Sequence, residues 1–550
     1  MTRPLLLLLG AVAGVLAASA SADTRSDWET LRDRIRPVSL RVEAARSLLR
    51  QARTRNECAR TTAEMIEFAL KATTPHTLRD VLAPEIAACE VDATVRLVAR
   101  RLGQGQALER RFLLSVARGF GPGEIDKAVA AKGLADDDAD NRRLALDVLV
   151  DHRAAAAVPE LESMLKAGKH PELVQPIVAG ATAILKDTPG WAAWEARLVE
   201  LARGPADEAR RAALAELSAR RDPAHFELFV ASLSHPDWST RFLSLGHLER
   251  AMTKPGLSAI VAQMEREPPG TRMNAECEAA LQRLSGGMNL GDRGEDWAAW
   301  WRNNEAAFTF PTAPASGTRE RLPQRSDTTV RPRFYGIEVQ SQRVCFVVDI
   351  SGSMRDATEQ DGSGATTRID VARRELDAII GALPPGSLFN IIAFEARVEA
   401  WLDGIGDLPG AGDARNRGRA AGGGSRDGRA AEAGTSPAQE AKATEEQRKR
   451  DEALRAKARA WIARLEADGG TNIHDALELA FEDPLVDTIF FLTDGEPSVG
   501  KRIDPGEIRR AVQRWNATRR VRIHTIAIGA EFPLVKELAQ DSGGQYRHVP

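Results

Sequence analysis

Val344-Cys345-Phe346-Val347-Val348-Asp349-Ile350-Ser351-Gly352-Ser353-Met354 is the stretch on which the fold turns. Its unbroken apolar start, rich in valine, reads as a strand buried on both faces, as in a parallel sheet. The run then stops at an acid. An aspartate at the end of such a strand is costly to desolvate unless a hydrogen-bond network or a cation receives it. Ser351 and Ser353 follow at alternate positions, and Gly352 between them lets the loop fold so that three side-chain oxygens converge.

Outward from this stretch the same rhythm recurs. Residues 389–394, 488–493 and 522–528 are short, β-branched and apolar, and residues 368–383, 453–467, 473–481, 505–518 and 533–542 have helical spacing. Strands alternating with helices predict a doubly wound, mostly parallel α/β sheet, with residues 335–339 as an antiparallel edge strand. Ligands of such sheets gather outside the carboxyl ends of the strands. Ile489-Phe490-Phe491-Leu492 runs into Thr493-Asp494-Gly495, which brings a second carboxylate to that edge, and Gly469-Gly470-Thr471-Asn472 opens a helix with a further hydroxyl. Turn and capping chemistry explains each piece alone but not all three together.

The candidate ligands are therefore Asp349, Ser351, Ser353, Thr471 and Asp494. All bear oxygen, which favours a hard divalent cation, Mg²⁺ or in its place Mn²⁺ or Ca²⁺, over zinc or copper. Mg²⁺ takes about six ligands and sheds water reluctantly, so this set leaves a position for an outside oxygen, most naturally an Asp or Glu of a protein partner.

These residues match, in order, the D-x-S-x-S, Thr and Asp of a metal-ion-dependent adhesion site, and the sequence over residues 335–550 resembles a von Willebrand factor type A domain. The resemblance implies divalent-metal-dependent protein binding rather than catalysis. Two departures stand out. An Arg/Gly-rich insertion, expected to be disordered over about 404–440, is longer than the family usually carries there, and it reads either as a solvated loop or as a contact for a polyanion. The chain also ends at Pro550 after a short strand, so a helix-driven affinity switch is not expected.

Residues 27–308 have a different rhythm, with helical spacing punctuated by Pro and Gly. Leu146, Ala181, Leu214, Leu245 and Leu281 recur with a period in the thirties, each followed three residues on by Leu149, Ile184, Leu217, Leu248 or Leu284. One buried helix face per two-helix unit describes this, and the segment resembles HEAT-type repeats, degenerate before Asp136. Trp297, Trp300 and Trp301 share a helical face that either closes the last repeat or lines a ligand site. Residues 311–333 read as a linker.

Residues 1–22 have the charged start, apolar stretch and Ala20-Ser21-Ala22 ending of a secretory signal; an uncleaved anchor needs a longer apolar run. Export to a periplasmic, cell-envelope or secreted location follows. Four cysteines are too few for a disulfide scaffold, and whether Cys58 and Cys89 pair is left open by the sequence. With 43% hydrophobic residues the chain has apolar material for real cores, and a net charge of −3 gives no footprint for nucleic acid.

An enzyme is not expected. Neither serine sits in a nucleophile elbow, and Gly495 to Lys501 spells a phosphate loop with Arg502 where a metal-holding hydroxyl belongs. The expected function is that of an exported adhesion or scaffold protein, the alternative a structural envelope protein whose metal only stabilises it and whose solenoid does the recognition. A metal-dependent hydrolase stands third.

Overall fold

The computed structural model describes residues 24–71, 73–311, 331–358, 366–405 and 437–550. The expected signal, most of the 311–333 linker and most of the 404–440 insertion lie outside the described residues. The chain divides into compact units at 1–216 and 217–550.

The amino-terminal unit is built of helices stacked in two layers. Val38–Arg55, His76–Ala87, Ala107–Arg118, Ala139–Asp151 and Val174–Leu185 each pack on the next, while Cys58–Ala69, Asp92–Arg101 and Glu124–Ala128 form the second row. Contacts repeat from step to step: Arg46 donates to Glu85 at 2.7 Å, Arg118 to Asp151 at 2.6 Å, and the Thr62 and Thr94 hydroxyls meet at 2.6 Å. Stacking thus begins well before Asp136, on buried faces that include Leu48, Leu82 and Leu114. Every residue of the five predicted pairs is buried.

Cys58 and Cys89 are joined by a disulfide across neighbouring helices, with Cα atoms 6.0 Å apart. Closing a loop over a sequence separation of 31 restricts the unfolded chain, which is worth about 3–4 kcal/mol. Reduction, or paired Cys58→Ser and Cys89→Ser, is expected to lower the unfolding free energy of the amino-terminal unit by that amount, read as a fall in its denaturant midpoint. An unchanged midpoint would show that the bond contributes nothing.

The second unit begins with further helices. Trp238–Ala251, Lys254–Arg266, Arg272–Leu284 and Gly294–Asn304 pack on one another. Trp297 and Trp301 are buried, their indole N–H groups donating to the Gly291 carbonyl at 2.9 Å and the Ser258 hydroxyl at 2.8 Å, and Trp300 meets Phe308 edge-on. Two of the three indoles therefore serve packing.

The α/β part follows. Strands β1 (Arg333–Phe334) and β2 (Ile337–Glu338) form a hairpin, and β3 (Arg343–Asp349), β4 (Leu388–Phe394), β5 (Val398–Ala400), β6 (Thr488–Thr493), β7 (Arg522–Ile528) and β8 (Tyr546–Val549) form one sheet in the order β5-β4-β3-β6-β7-β8. All its pairings are parallel except β4 with β5. Residues 335–339, expected to form an antiparallel edge strand, do not extend this sheet. Tyr335 and Gly336 both take positive φ and turn the chain back on itself, and Phe334 packs edge-on against Phe346 and Phe490 on the sheet face. The antiparallel edge is β5 instead.

Alternation along the strands divides the core between two faces. Cys345, Val347, Phe394 and Phe491 face the helices Ile473–Glu482, Pro505–Arg519 and Pro533–Ser542. Val344, Phe346, Val348 and Phe490 face Arg368–Ala382 and the end of Pro437–Ile462.

The helices of this unit are fastened to the amino ends of the strands. Arg272, fully buried, donates to the carbonyls of Asp487 and, at 2.7 Å, Arg520, while its guanidinium lies 4.6 Å over the Trp238 ring. Ser239 donates to the Arg519 carbonyl at 2.9 Å, and Arg522 pairs with Glu276. The carboxyl ends of the strands point the other way.

Candidate metal centre

The strand order places the site. The chain runs β3, β4, β5 outward to one edge, returns to lay β6 beside β3, and continues outward to β8. Between β3 and β6 the direction of winding reverses, which opens a crevice at their carboxyl ends. Register pairs Val348 with Leu492, so Asp349 and Thr493 leave their strands side by side.

Asp349 is completely buried. One of its carboxylate oxygens accepts from the Ser351 N–H at 2.7 Å and the other from the Thr493 hydroxyl at 2.5 Å. The turn Gly352–Arg355 then brings the Ser351 and Ser353 hydroxyls within 3.2 Å of each other, and Ser353 donates to Asp494 at 2.7 Å. Ser351, Ser353 and Asp494 thus form one hydrogen-bonded chain, and Asp349 is tied to it through the Ser351 N–H. The chain runs from a sealed interior to the exposed Ser353.

Thr471 reaches the same place by another route. The Gly352 N–H donates to the Gly469 carbonyl at 3.0 Å, and the Thr471 N–H donates to the Ser498 hydroxyl at 2.8 Å. A methyl group on Gly495 would stand 3.8 Å from the Thr471 hydroxyl, so that hydroxyl faces the neighbour of Asp494. It makes no hydrogen bond among the described residues. Each of the five sequence candidates therefore lies at this crevice.

Burial pushes the Asp349 carboxyl up to about 6, against the pull of the hydrogen bonds from Ser351 and Thr493, and the nearby Asp494 adds to the rise. Asp349 makes no ion pair among the described residues. Asp494 does, with Arg368 at 2.9 Å. A buried carboxylate without a counter-charge, a hydroxyl without a partner and an all-oxygen donor set fit a hard divalent cation.

Sequence reasoning missed two participants. Thr493 precedes Asp494 at the end of β6, and only strand register shows its hydroxyl crossing to Asp349. Arg368 begins a helix whose start is legible from the Thr367 and Asp370 capping box, yet nothing local says where its side chain goes.

Other chemistry fits less well. The phosphate-loop spelling has no helix behind it, since the next one is Pro505–Arg519, and Lys501 is held by Glu478. His474, Asp475 and Glu478 form a second grouping of ligating side chains, but His474 and Asn472 both engage Asp475, and the ring of His474 lies against Trp515. No histidine meets Ser351 or Ser353 as a base among the described residues.

A family description, the von Willebrand factor type A domain, matches residues 342–409 and 434–548. The matched span contains the strands β3 to β7 and every residue of the crevice. This region is a von Willebrand factor type A domain.

Relatives of the type A domain extend the picture. The chain is similar to human inter-alpha-trypsin inhibitor heavy chain H4, 25% identical over 228 residues, which are 39% of this chain and 19% of that protein. It is also similar to human von Willebrand factor A domain-containing protein 3A, 32% identical over 94 residues, 16% of this chain and 8% of the relative. The chain thus spans less than a fifth of the length of either. A crystal structure of an uncharacterized membrane spanning protein from Vibrio fischeri is 16% identical and covers 38% of this chain and 90% of its own, with a TM-score of 0.14, too low for a comparison of folds. No helix among the described residues is long and apolar enough to cross a membrane.

Proposed function

We propose that the type A domain is a protein-binding module that holds one divalent cation, Mg²⁺ foremost, through Asp349, Ser351, Ser353, Thr471 and Asp494, and captures an acidic side chain of a partner. The observation that carries this reading is the hydrogen-bonded set of Asp349, Ser351, Ser353 and Asp494 at the reversal of the sheet, with Asp349 buried and without an ion pair among the described residues. When bound, the cation supplies an electrophilic centre for a carboxylate oxygen. Asp349 and Asp494 balance its charge, Thr493 and Arg368 orient the two carboxylates, and the exposed Ser353 marks the side from which a partner approaches.

The Cys58 to Cys89 disulfide supports an oxidising compartment, hence an exported protein whose residues 1–22 are a signal. The similar human protein is named as a heavy chain of an inhibitor, and a partner protein is the corresponding expectation here. The two-layered helices, read as HEAT-like repeats, would offer a second contact surface.

Chelation tests the reading. Partner capture by the full-length protein from envelope and culture-medium fractions is expected in Mg²⁺ and lost in EDTA and in Asp494→Ala. Capture that survives chelation, with a large fall in melting temperature, would assign recognition to the helices and leave the metal a stabilising part.

A further inference from the structure

The two carboxylate oxygens of Asp494 have different partners. Oδ1 accepts from Ser353 and belongs to the ligand set; Oδ2 accepts from Arg368 Nη1 at 2.9 Å. Arg368 is itself well placed. Its N–H donates to the Asp356 carbonyl at 3.0 Å, just beyond the turn that carries Ser353, and Nη1 lies 3.6 Å from the Asp356 carboxylate. Its side chain is 20% exposed, against 0% for Asp494. Room for the guanidinium is made at the end of β7, where Gly529 at φ +72° leaves open a space in which a β-carbon would stand 2.4 Å from Arg368 Nη2. Asp349 has no comparable partner among the described residues.

A guanidinium on one oxygen of a carboxylate and a divalent ion on the other are like charges a few ångströms apart. Even at a dielectric typical of a protein surface their repulsion changes binding by about tenfold or more. We propose that Arg368 is a built-in counter-ion of Asp494, a positioning residue that keeps the ion-free crevice assembled and holds down its affinity for the divalent cation. The inference rests on the metal-site reading above and goes beyond it, because it assigns regulation of occupancy to a residue outside the ligand set. Arg368 favours the empty site, and the incoming ion must be bound against its charge.

Calorimetric titration of the full-length, EDTA-stripped protein with MgCl₂, together with melting of the metal-free protein, tests this. Arg368→Gln is expected to bind Mg²⁺ about tenfold more tightly while melting several degrees lower without metal. Arg368→Lys keeps the charge and is expected to remain within about threefold of the unmodified affinity. A purely structural ion pair would lower stability and affinity together, so equal or weaker Mg²⁺ binding by Arg368→Gln overturns the counter-ion role and leaves the metal site standing. Should that variant not fold, Gly529→Ala, which pushes the guanidinium off Asp494 without changing any charge, is expected to tighten binding likewise, and failure to do so overturns the role equally. Absence of Mg²⁺ binding by the unmodified protein overturns both readings.

Discussion

Asp349→Asn is expected to abolish Mg²⁺ binding and, at the same time, to stabilise the metal-free protein by about 3 kcal/mol near pH 8. The two effects share one cause. Asp349 is fully buried and makes no ion pair among the described residues, and burial holds its carboxyl near 6 in the folded chain against an ordinary 3.8. The folded state therefore binds more protons than the unfolded state between about pH 4 and pH 6, and metal-free stability falls as pH rises through that window. Asparagine carries no charge to desolvate, keeps an acceptor for the Ser351 N–H and presents an amide to Thr493. Its advantage should be absent below about pH 4 and complete above about pH 7. With saturating Mg²⁺ the order reverses, since only the unmodified protein gains binding energy. Denaturant melts at several pH values, with EDTA and with Mg²⁺, provide the check. A variant less stable than the unmodified protein in EDTA at high pH would show that Asp349 is satisfied without a cation.

Arg272→Ala should be the most damaging single change away from the metal edge, costing about 3–5 kcal/mol. The guanidinium is completely buried, stacked over Trp238 and Phe242, and holds the carbonyls of Asp487 and Arg520, which open β6 and β7. Burial pushes its pKa down to about 10, which still leaves it charged at neutral pH. Truncation removes a donor from each of the two carbonyls, leaves Glu276 to Arg522 and empties the space above the indole. Lysine should not rescue, because an ammonium cannot lie flat on a ring while donating in two directions. Thermal unfolding followed by tryptophan fluorescence is expected to shift to lower temperature and to separate the helices of this unit from the sheet. A single transition at the original temperature would show that the fastening lies elsewhere.

The same two regions show how far the sequence could be read. Local rules located the strands well: 488–493 and 522–528 coincide with β6 and β7, β4 begins one residue earlier than 389–394, and the strand expected over 344–350 is shifted by one residue at each end in β3. Buried parallel strands are continuous apolar runs, and an acid at their end is conspicuous because its desolvation is costly. The five oxygen-bearing candidates were legible for that reason. Thr493 and Arg368 were not, since their roles depend on partners more than a hundred residues away in the chain. The edge strand at 335–339 was misplaced because a two-residue turn at positive φ folds it into a hairpin, and apolar pattern alone does not distinguish a hairpin on a sheet face from a strand at its edge.

The repeat period likewise identified which helices share a buried stripe, yet it faded towards the amino terminus although stacking there continues from Val38. Nor did the residues around Arg272 predict a fastening between helices and strands. An arginine on a helix is read as solvent-facing until the backbone carbonyls it meets are known.

Sequence alone determined the element types, the doubly wound class, the helical character of the amino-terminal region and the oxygen chemistry of the candidate ligands, because hydrophobic period and residue type act over a few neighbours. Tertiary structure decided that β6 lies beside β3 and not beyond β5, that Arg368 pairs with Asp494 while Asp349 has no ion pair among the described residues, and that Arg272 anchors the edge opposite the crevice. Those outcomes depend on which surfaces meet when the chain collapses, and charge balance in a buried crevice is a property of the assembled neighbours rather than of any one residue.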